Sequence, residues 1–402
     1  MSQSFADLGA SRQVAKALAK RGISEPFAVQ KLAIGDVLAG HDVLVQSPTG
    51  SGKTLAFGIP IADRLRPGAA RPAALVLAPT RELAQQIVAE VSDLIHARGL
   101  RATAVFGGVG IQPQVKRAPR ADLLVATPGR LEDLLGRGAV SLKEIEILVL
   151  DEADRMLDMG FRPVVDRIVA ETPASRQTLF FSATLEGAAG KVAAAYTRNA
   201  RRHVHNPRPE RAADVDHRFV HFGSPGERLP ALVAELRREE RGRTLVFVRT
   251  KRGADRLVKR LGASDVRAVA MHGNKSQSQR QRALASFDRG EVDTLVATDV
   301  AARGIDVAGV THVINFDAPE DRDAYVHRIG RTGRAGDRGA GISFVLADQV
   351  ADVRRIAVDL ELSRQFDEGH GARRALNTSS GSRSSRAGRD HRRRAGRDHR
   401  RR

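Results

Sequence analysis

The sequence predicts an α/β protein of two tandem domains, each a parallel sheet covered by helices on both faces, followed by a disordered basic C-terminal tail. Three observations point there. Short β-branched and leucine-rich runs alternate with charged, helix-like stretches; the alternation comes in two series parted by a polar, proline-bearing segment; and the last residues lose their apolar composition. At 402 residues the chain also exceeds one ordinary core, since single cores stop growing at roughly 250–300 residues.

The first series places strands at 42–45, 74–78, 104–106, 123–126, 147–150 and 178–181. Their near-continuous hydrophobicity suits strands buried on both faces, whereas a half-wet strand would alternate with period two. Residues 203–227 are polar, contain Pro207, Pro209 and Pro225, and show no apolar period, so a linker falls within them. The second series places strands at 244–248, 266–270, 294–297, 312–315 and 341–345, with helix-like stretches such as 280–287 between them. The expected organisation is an N-terminal domain over 1–205, a linker over 206–226, a C-terminal domain over 227–366 and a tail over 367–402.

The net charge of +19 is unevenly placed, because the 32 residues Gly371–Arg402 hold twelve Arg and two Asp and so carry +10 of it. The octapeptide AGRDHRRR occurs twice there, from Ala387 and from Ala395. With Leu376 as its one large apolar side chain, too little to offset the entropy of ordering, such a segment should be disordered. Body and tail both favour a polyanionic partner, nucleic acid ahead of an anionic membrane surface. Cysteine is absent, which excludes disulfides, thiolate metal sites and cysteine nucleophiles, and agrees with a reducing cytoplasm. Asp7, Arg12 and Lys16 interrupt the N-terminus and no later run approaches a membrane span, so a soluble, unprocessed protein with no membrane partner is expected.

The most informative motif is Ser47-Pro-Thr-Gly-Ser-Gly-Lys53-Thr54, lying between an apolar strand and a helix-like run from Leu55. Glycines there let backbone N–H groups turn toward phosphate oxygens, and a helix N-terminus adds a favourable dipole. Thr49, Gly50, Ser51 and Gly52 would form the cradle, Lys53 would reach the β and γ phosphates, and Thr54 would hold Mg²⁺. Ser47 stands where the general pattern has Gly. The alternative is a flexible Gly/Ser turn, which the flanking strand and helix argue against.

Asp151-Glu-Ala-Asp154 follows the strand 147–150. A carboxylate at that edge of a parallel sheet would face a phosphate loop, so Asp151 suits Mg²⁺ partly through water, and Glu152 suits orienting or deprotonating an attacking water. Taken alone, such residues are more often an acidic helix start; downstream of a phosphate loop the balance reverses. In the second half, His327-Arg-Ile-Gly-Arg331-Thr-Gly-Arg334 spaces two arginines as an arginine finger needs, or as a solvated basic turn. Their place on the other domain favours a catalytic site completed by domain closure.

From about Phe5 to Val345 the chain resembles a DEAD-box RNA helicase, with the motifs in that family's order. Besides those above, it contains Gly22-Ile-Ser-Glu-Pro26-Phe-Ala-Val-Gln30 with Phe5 upstream, Pro79-Thr-Arg-Glu-Leu83, Gly107-Gly108, Thr127-Pro-Gly-Arg130, Ser182-Ala-Thr184, Val246-Phe-Val-Arg249, His272-Gly273, Gln277 through Arg280 and Thr298 through Asp306. The resemblance implies two RecA-like domains that hydrolyse ATP with Mg²⁺. It implies that Gln30 hydrogen-bonds the adenine edge with Phe5 packing nearby, and that Gly304 and Asp306 meet the nucleotide from the second domain. Pro79, Thr80, Arg81, Gly108, Thr127, Pro128, Gly129, Arg130, Gly273, Gln277, Arg280 and Thr298 would line an RNA groove, holding phosphate and sugar rather than reading bases. Asp154, Ser182, Thr184, His327 and Arg328 would couple hydrolysis to RNA handling. Two positions depart from the family: Ile23 replaces an aromatic that stacks on adenine, and Phe27 replaces Thr.

Within the family the short core and basic tail are most similar to the bacterial RhlE-type subgroup. The implied activity is RNA-stimulated ATP hydrolysis coupled to local remodelling of RNA duplexes and RNA–protein complexes, with ribosome-assembly or RNA-decay proteins as candidate partners. Two other classes remain open, a DNA-dependent ATPase or helicase on the same scaffold and an RNA-annealing scaffold acting through its tail.

Overall fold

The computed structural model describes residues 3–48, 51–205, 215–239, 241–302, 309–333 and 338–369. Thr49, Gly50, Gly304, Asp306, Arg334, residues 206–214 and the tail from 370 onward therefore lie outside the described residues. The described chain falls into two compact units, the first ending at 205 and the second beginning at 215.

In the first unit seven strands form one parallel sheet: β1 (Val43–Gln46), β2 (Ala74–Leu77), β3 (Ala102–Val105), β4 (Leu123–Ala126), β5 (Ile147–Leu150), β6 (Gln177–Ser182) and β7 (Arg201–Val204), in the spatial order β3-β4-β2-β5-β6-β1-β7. Alternate residues of each strand point to opposite faces. Val43, Val45, Val76, Val125, Val149 and Phe181 thus join a core roofed by the helices Arg12–Lys20, Ala28–Leu38, Lys53–Arg64 and Arg81–Ala97. Leu75, Leu77, Leu124, Leu148, Leu150 and Phe180 join a second core under Pro128–Gly136, Ala153–Asp158, Arg162–Ala170 and Gly187–Tyr196. Burial on both faces explains why these strands read as unbroken apolar runs.

The helix Ala28–Leu38 begins without a side-chain cap, because Phe27 occupies the N-cap position. The Gln30 side chain accepts from the Phe27 backbone N–H at 2.8 Å, but a phenyl ring cannot return the bond, a loss of about 0.5–2 kcal/mol relative to Ser or Thr. By contrast Thr80 caps Arg81–Ala97 through the Leu83 N–H at 3.2 Å.

The second unit holds a six-stranded parallel sheet of β8 (Val215–Phe222), β9 (Arg243–Phe247), β10 (Val269–Met271), β11 (Thr294–Ala297), β12 (Val310–Asn315) and β13 (Gly339–Leu346), ordered β10-β11-β9-β12-β13-β8. Val246, Val296, Ile314, Ile342 and Phe344 pack with Leu232, Leu236, Leu257 and Leu261 of the helices Arg228–Leu236 and Lys251–Gly262.

Three expectations change. The segment taken as a linker over 206–226 contains β8, which pairs with β13 along eight residues. Its polar Asp216, His217 and Arg218 masked the pattern, since β8 is an edge strand and its outer positions stay partly wet. The strand expected at 266–270 is instead Val269–Met271; Val266 is a core residue reached from the turn after the helix Lys251–Gly262. Residues 363–369 are helical, so ordered structure continues past 366, where the tail was placed. Phe366 anchors that helix on β8, with ring centroids 5.4 Å from Phe219 and 4.8 Å from His221.

Candidate nucleotide and RNA sites

Apart from Phe5 and Gln30, which precede β1, the candidate site residues of the first unit follow carboxyl ends of its strands, the usual ligand edge of an open α/β sheet. Neighbouring strands divide the work. Ser47–Thr54 follows β1, Asp151 and Glu152 follow β5, and Ser182 and Thr184 end or follow β6; these three strands are adjacent. Pro79–Arg81 follows β2, Gly108 follows β3 and Thr127–Arg130 follows β4, the other three-strand block.

In the first block the described part of the glycine loop is tightly built. Gly52 has φ +88°, and a Cβ on it would stand 2.6 Å from the Phe27 ring and 2.7 Å from Gln30 Nε2, so only glycine fits there. Gln30 is buried and donates to the Gly52 carbonyl at 3.0 Å. Its amide has a second N–H and a second lone pair for a base edge. Lys53 opens the helix Lys53–Arg64, is 7% exposed, and donates from Nζ to the Ser47 carbonyl at 3.0 Å. An ammonium has three donors, so this bond poises the side chain without exhausting it. Ser47 Oγ donates to Ser51 Oγ at 2.6 Å, and Ser47 N–H donates to the Ser182 carbonyl at 2.9 Å. The serine at the head of the loop thus ties it to β6. Phe5 lies in the apolar core, a packing residue.

Asp151 is 3% exposed, and burial pushes its carboxyl up to about 6 against the pull of the Lys53 ammonium. Glu152 adopts left-handed backbone, φ +50° and ψ +49°, which costs on the order of 1–3 kcal/mol in a residue with a Cβ and is concentrated at functional sites. Its N–H donates to Asp151 Oδ1 at 3.0 Å, and its carboxylate accepts from Arg155 Nη1 at 2.6 Å in an ion pair buried on both sides. Asp154 Oδ2 accepts from the backbone N–H groups of Ala183 and Thr184 at 3.0 and 3.2 Å, joining the ends of β5 and β6. Ser182 is fully buried, while Thr184 is exposed.

These groups fit a magnesium–nucleotide. No group of three or more His, Cys, Asp or Glu among the described residues is arranged to hold a metal alone. Thr54 and Asp151 offer a hydroxyl and a carboxylate, the hard oxygen donors Mg²⁺ takes when most of its shell is phosphate and water.

In the second block Arg81 lies across Gly108, whose φ is +78° and whose notional Cβ would stand 1.8 Å from Arg81 Nη1. Arg130 is 9% exposed, donates from Nη2 to the Val109 carbonyl at 3.1 Å and pairs through Nε with the Asp133 carboxylate at 3.7 Å, while Nη1 is buried without a hydrogen-bond acceptor. Buried guanidinium donors are costly to leave unmet, so an anionic acceptor there would be favoured. Thr127 and Pro128 start the helix Pro128–Gly136, and Gly129 presents open backbone on its first turn.

The second unit repeats the division. Gly273 follows β10, Gln277 and Arg280 sit in the first turn of the helix Gln277–Asp288, and Thr298 follows β11, all on one side of the sheet. His327 and Arg328 lie on the helix Arg322–Ile329 after β12, with Arg331 just beyond it. Arg331 is 5% exposed and donates from Nε to the His327 carbonyl at 3.3 Å. Arg328 is a framework residue of this unit: it grips both carboxylate oxygens of Asp299 at 2.6 and 2.7 Å, donates to Asn315 Oδ1 and the Asp317 carbonyl, and lies over the Phe247 ring. Sequence reasoning missed Asp299 as that partner, and Arg155 as the partner of Glu152. Arg155 had a signal, its i,i+3 spacing from Glu152; Asp299 and Arg328 are 29 residues apart and had none.

A glycine loop and an acid pair on one parallel sheet, followed by a second sheet of the same order with arginines on and just beyond the helix after β12, define a two-domain nucleotide-hydrolysing motor of the helicase class. The chain belongs to the DEAD-box ATP-dependent RNA helicase family. The description "DEAD/DEAH box helicase" matches residues 27–192, and "Helicase conserved C-terminal domain" matches 227–336. The chain is 40% identical over 347 residues to the ATP-dependent RNA helicase CshA of Limosilactobacillus reuteri, covering 86% of this chain and 70% of that one. It is 37% identical over 353 residues to the CshA of Geobacillus kaustophilus, covering 88% and 75%. Among solved structures, S. cerevisiae Dbp5 bound to RNA and ADP BeF3 aligns with TM-score 0.81 at 28% identity, covering 92% of this chain and all of that one. Mss116p bound to ssRNA and AMP-PNP aligns with TM-score 0.79 at 28% identity, covering 89% and 77%. These RecA-like helicase folds agree with the two parallel sheets described above.

Proposed function

We propose that this protein hydrolyses ATP in response to RNA and uses the reaction to unwind or remodel short RNA duplexes and RNA–protein complexes locally. The observation that carries this reading is the buried trio Lys53, Asp151 and Glu152 beyond the carboxyl ends of β1 and β5, two strands parted by β6 alone, beside a glycine loop. Lys53 binds the β and γ phosphates. Thr54 and Asp151 hold Mg²⁺, which when bound neutralises charge on those phosphates. Glu152 accepts the proton of the water that attacks the γ-phosphorus as ADP departs, and Arg155 fixes which way its carboxylate points. Arg331, with Arg334, steadies transition-state charge once the units close, and Gly304 and Asp306 contact the nucleotide from the second unit.

The RNA groove is formed in the first unit by Pro79–Arg81, Gly108 and Thr127–Arg130, and in the second by Gly273, Gln277, Arg280 and Thr298. Ser182, Thr184, Asp154, His327 and Arg328 relay between the sites. That relatives and aligned structures are RNA helicases favours RNA over DNA. The Arg-rich segment adds sequence-independent electrostatic binding and supports placement near the RhlE-type subgroup, although the bacterial relatives above are named CshA. A bacterial, cytoplasmic setting and ribosome-assembly or RNA-decay partners complete the reading. No helix among the described residues is long and apolar enough to cross a membrane.

The test is steady-state ATP hydrolysis with RNA, with DNA of the same sequence, and with no polymer. Strong stimulation by RNA alone supports the reading. Equal stimulation by DNA supports a DNA-dependent ATPase, and RNA annealing without hydrolysis supports a scaffold.

A further inference from the structure

We propose that Phe27 supplies the face on which the purine base of the bound nucleotide stacks, a role specific to this chain that rests on the nucleotide reading above. Its position is expensive on two counts. As described above, it gives up the side-chain cap of the helix Ala28–Leu38. It is also 59% exposed, more than any other large hydrophobic among the described residues, so it forgoes most of the gain that burying a ring would bring.

What the ring touches suggests what covers it. Its Cδ2 and Cε2 atoms stand beside Gly52 of the loop, where a notional Cβ would meet them at 2.6 and 3.4 Å and would meet Gln30 Nε2 at 2.7 Å. An exposed aromatic face, a buried primary amide and a phosphate loop therefore converge on one residue. A purine nucleotide has a matching set of parts: an apolar face, an edge with donors and acceptors, and phosphates. Ile23, at the position where an aromatic would stack on the base, is partly buried against the apolar core and has no π face. Stacking of a base on an aromatic side chain is worth a factor of about 5–150 in affinity, a free energy of the same order as the one a missing cap removes from stability.

The experiment uses the full-length protein. The chain contains no tryptophan, so Phe27→Trp introduces a sole indole whose emission should be quenched by ATP and left unchanged by inorganic tripolyphosphate. In calorimetry, Phe27→Ala should weaken ATP binding about 5-fold to 100-fold while leaving tripolyphosphate affinity as in the wild type. Phe27→Thr should raise Tm, because the cap returns, yet weaken ATP binding. That opposition between stability and affinity is what a merely structural role would not produce. Wild-type ATP affinity in Phe27→Ala and Phe27→Thr, with binding lost in Lys53→Ala, would overturn the proposal and leave the nucleotide site standing. Equal weakening of ATP and tripolyphosphate would also overturn it, since the ring would then be supporting the loop. Failure of the wild type itself to bind ATP would sink the nucleotide reading and this proposal together.

Discussion

The two sheets share one order and differ in what they leave unfinished. β3-β4-β2-β5-β6-β1 in the first unit corresponds strand for strand to β10-β11-β9-β12-β13-β8 in the second, with β7 added at the first sheet's edge. After β1 the chain makes the phosphate loop and opens a helix with Lys53; after β8 it makes a short turn and opens a helix with Arg228. After β5 comes Asp151; after β12 comes Asp317.

In the second unit that cation and acid satisfy each other. Arg228 Nη1 donates to Asp317 Oδ1 at 2.8 Å and to the Phe316 carbonyl at 2.8 Å, its guanidinium lies 4.5 Å from the Phe316 ring centre, and Asp317 Oδ2 accepts the Arg249 N–H at 2.8 Å. In the first unit Lys53 is turned to a loop carbonyl and Asp151 is buried deeply enough to lift its carboxyl to about 6. One framework thus yields a closed ion pair in one copy and an electrostatically strained pocket in the other. The strain marks where a ligand is needed, because local interactions that conflict with stability gather at functional sites.

The largest effect that could break this comparison is in turnover. Arg331→Ala should lower kcat by roughly 10³-fold or more while ATP affinity stays within a few-fold, because a finger acts on transition-state charge; equal losses in kcat and affinity, measured by stopped-flow and titration, would place Arg331 in ground-state binding. Glu152→Gln should cut hydrolysis by about 10²–10⁴-fold and retain ATP and RNA binding, since the amide cannot take the proton. Near-normal turnover would remove Glu152 as the base.

Smaller effects concern stability. Asp151→Asn should stabilise the nucleotide-free protein at pH 7.5 by on the order of 1–3 kcal/mol, because it removes the cost of ionising a buried carboxyl. The sign follows from a folded value raised from 3.8 to about 6. Above pH 6 the folded carboxyl is charged at full cost, and as pH falls from 6 toward 4 the folded group protonates first and the cost disappears. The Tm gain of the variant should therefore shrink across that window. Arg228→Met should act oppositely, destabilising by roughly 1–3 kcal/mol by leaving Asp317 without its cation, which thermal denaturation at neutral pH can measure.

Where the chain is buried on both faces, its sequence was readable: Leu123–Ala126, Ile147–Leu150 and Thr294–Ala297 are strands with the expected bounds. The edges were not. β7 has exposed Arg201 and Arg202, and β8 mixes Asp216 and Arg218 with Phe219 and Phe222, so neither offers an unbroken apolar run. The glycine loop and the acid pair stood out as candidates because the chemistry proposed for them needs residues close in sequence. Arg228 with Asp317 and Arg328 with Asp299 were hidden because folding brings together positions 89 and 29 residues apart. Phe27 was visible as a departure, but its contact with Gly52 required the folded backbone.

Calorimetric titration of ATP into the wild type, Lys53→Ala and Arg228→Met tests the asymmetry most directly. One site per chain is expected, weakened about 10-fold to 100-fold by Lys53→Ala through loss of a charge-assisted phosphate contact, and unchanged in Arg228→Met. Two sites per chain, or a loss of ATP binding in Arg228→Met with none in Lys53→Ala, would contradict the account.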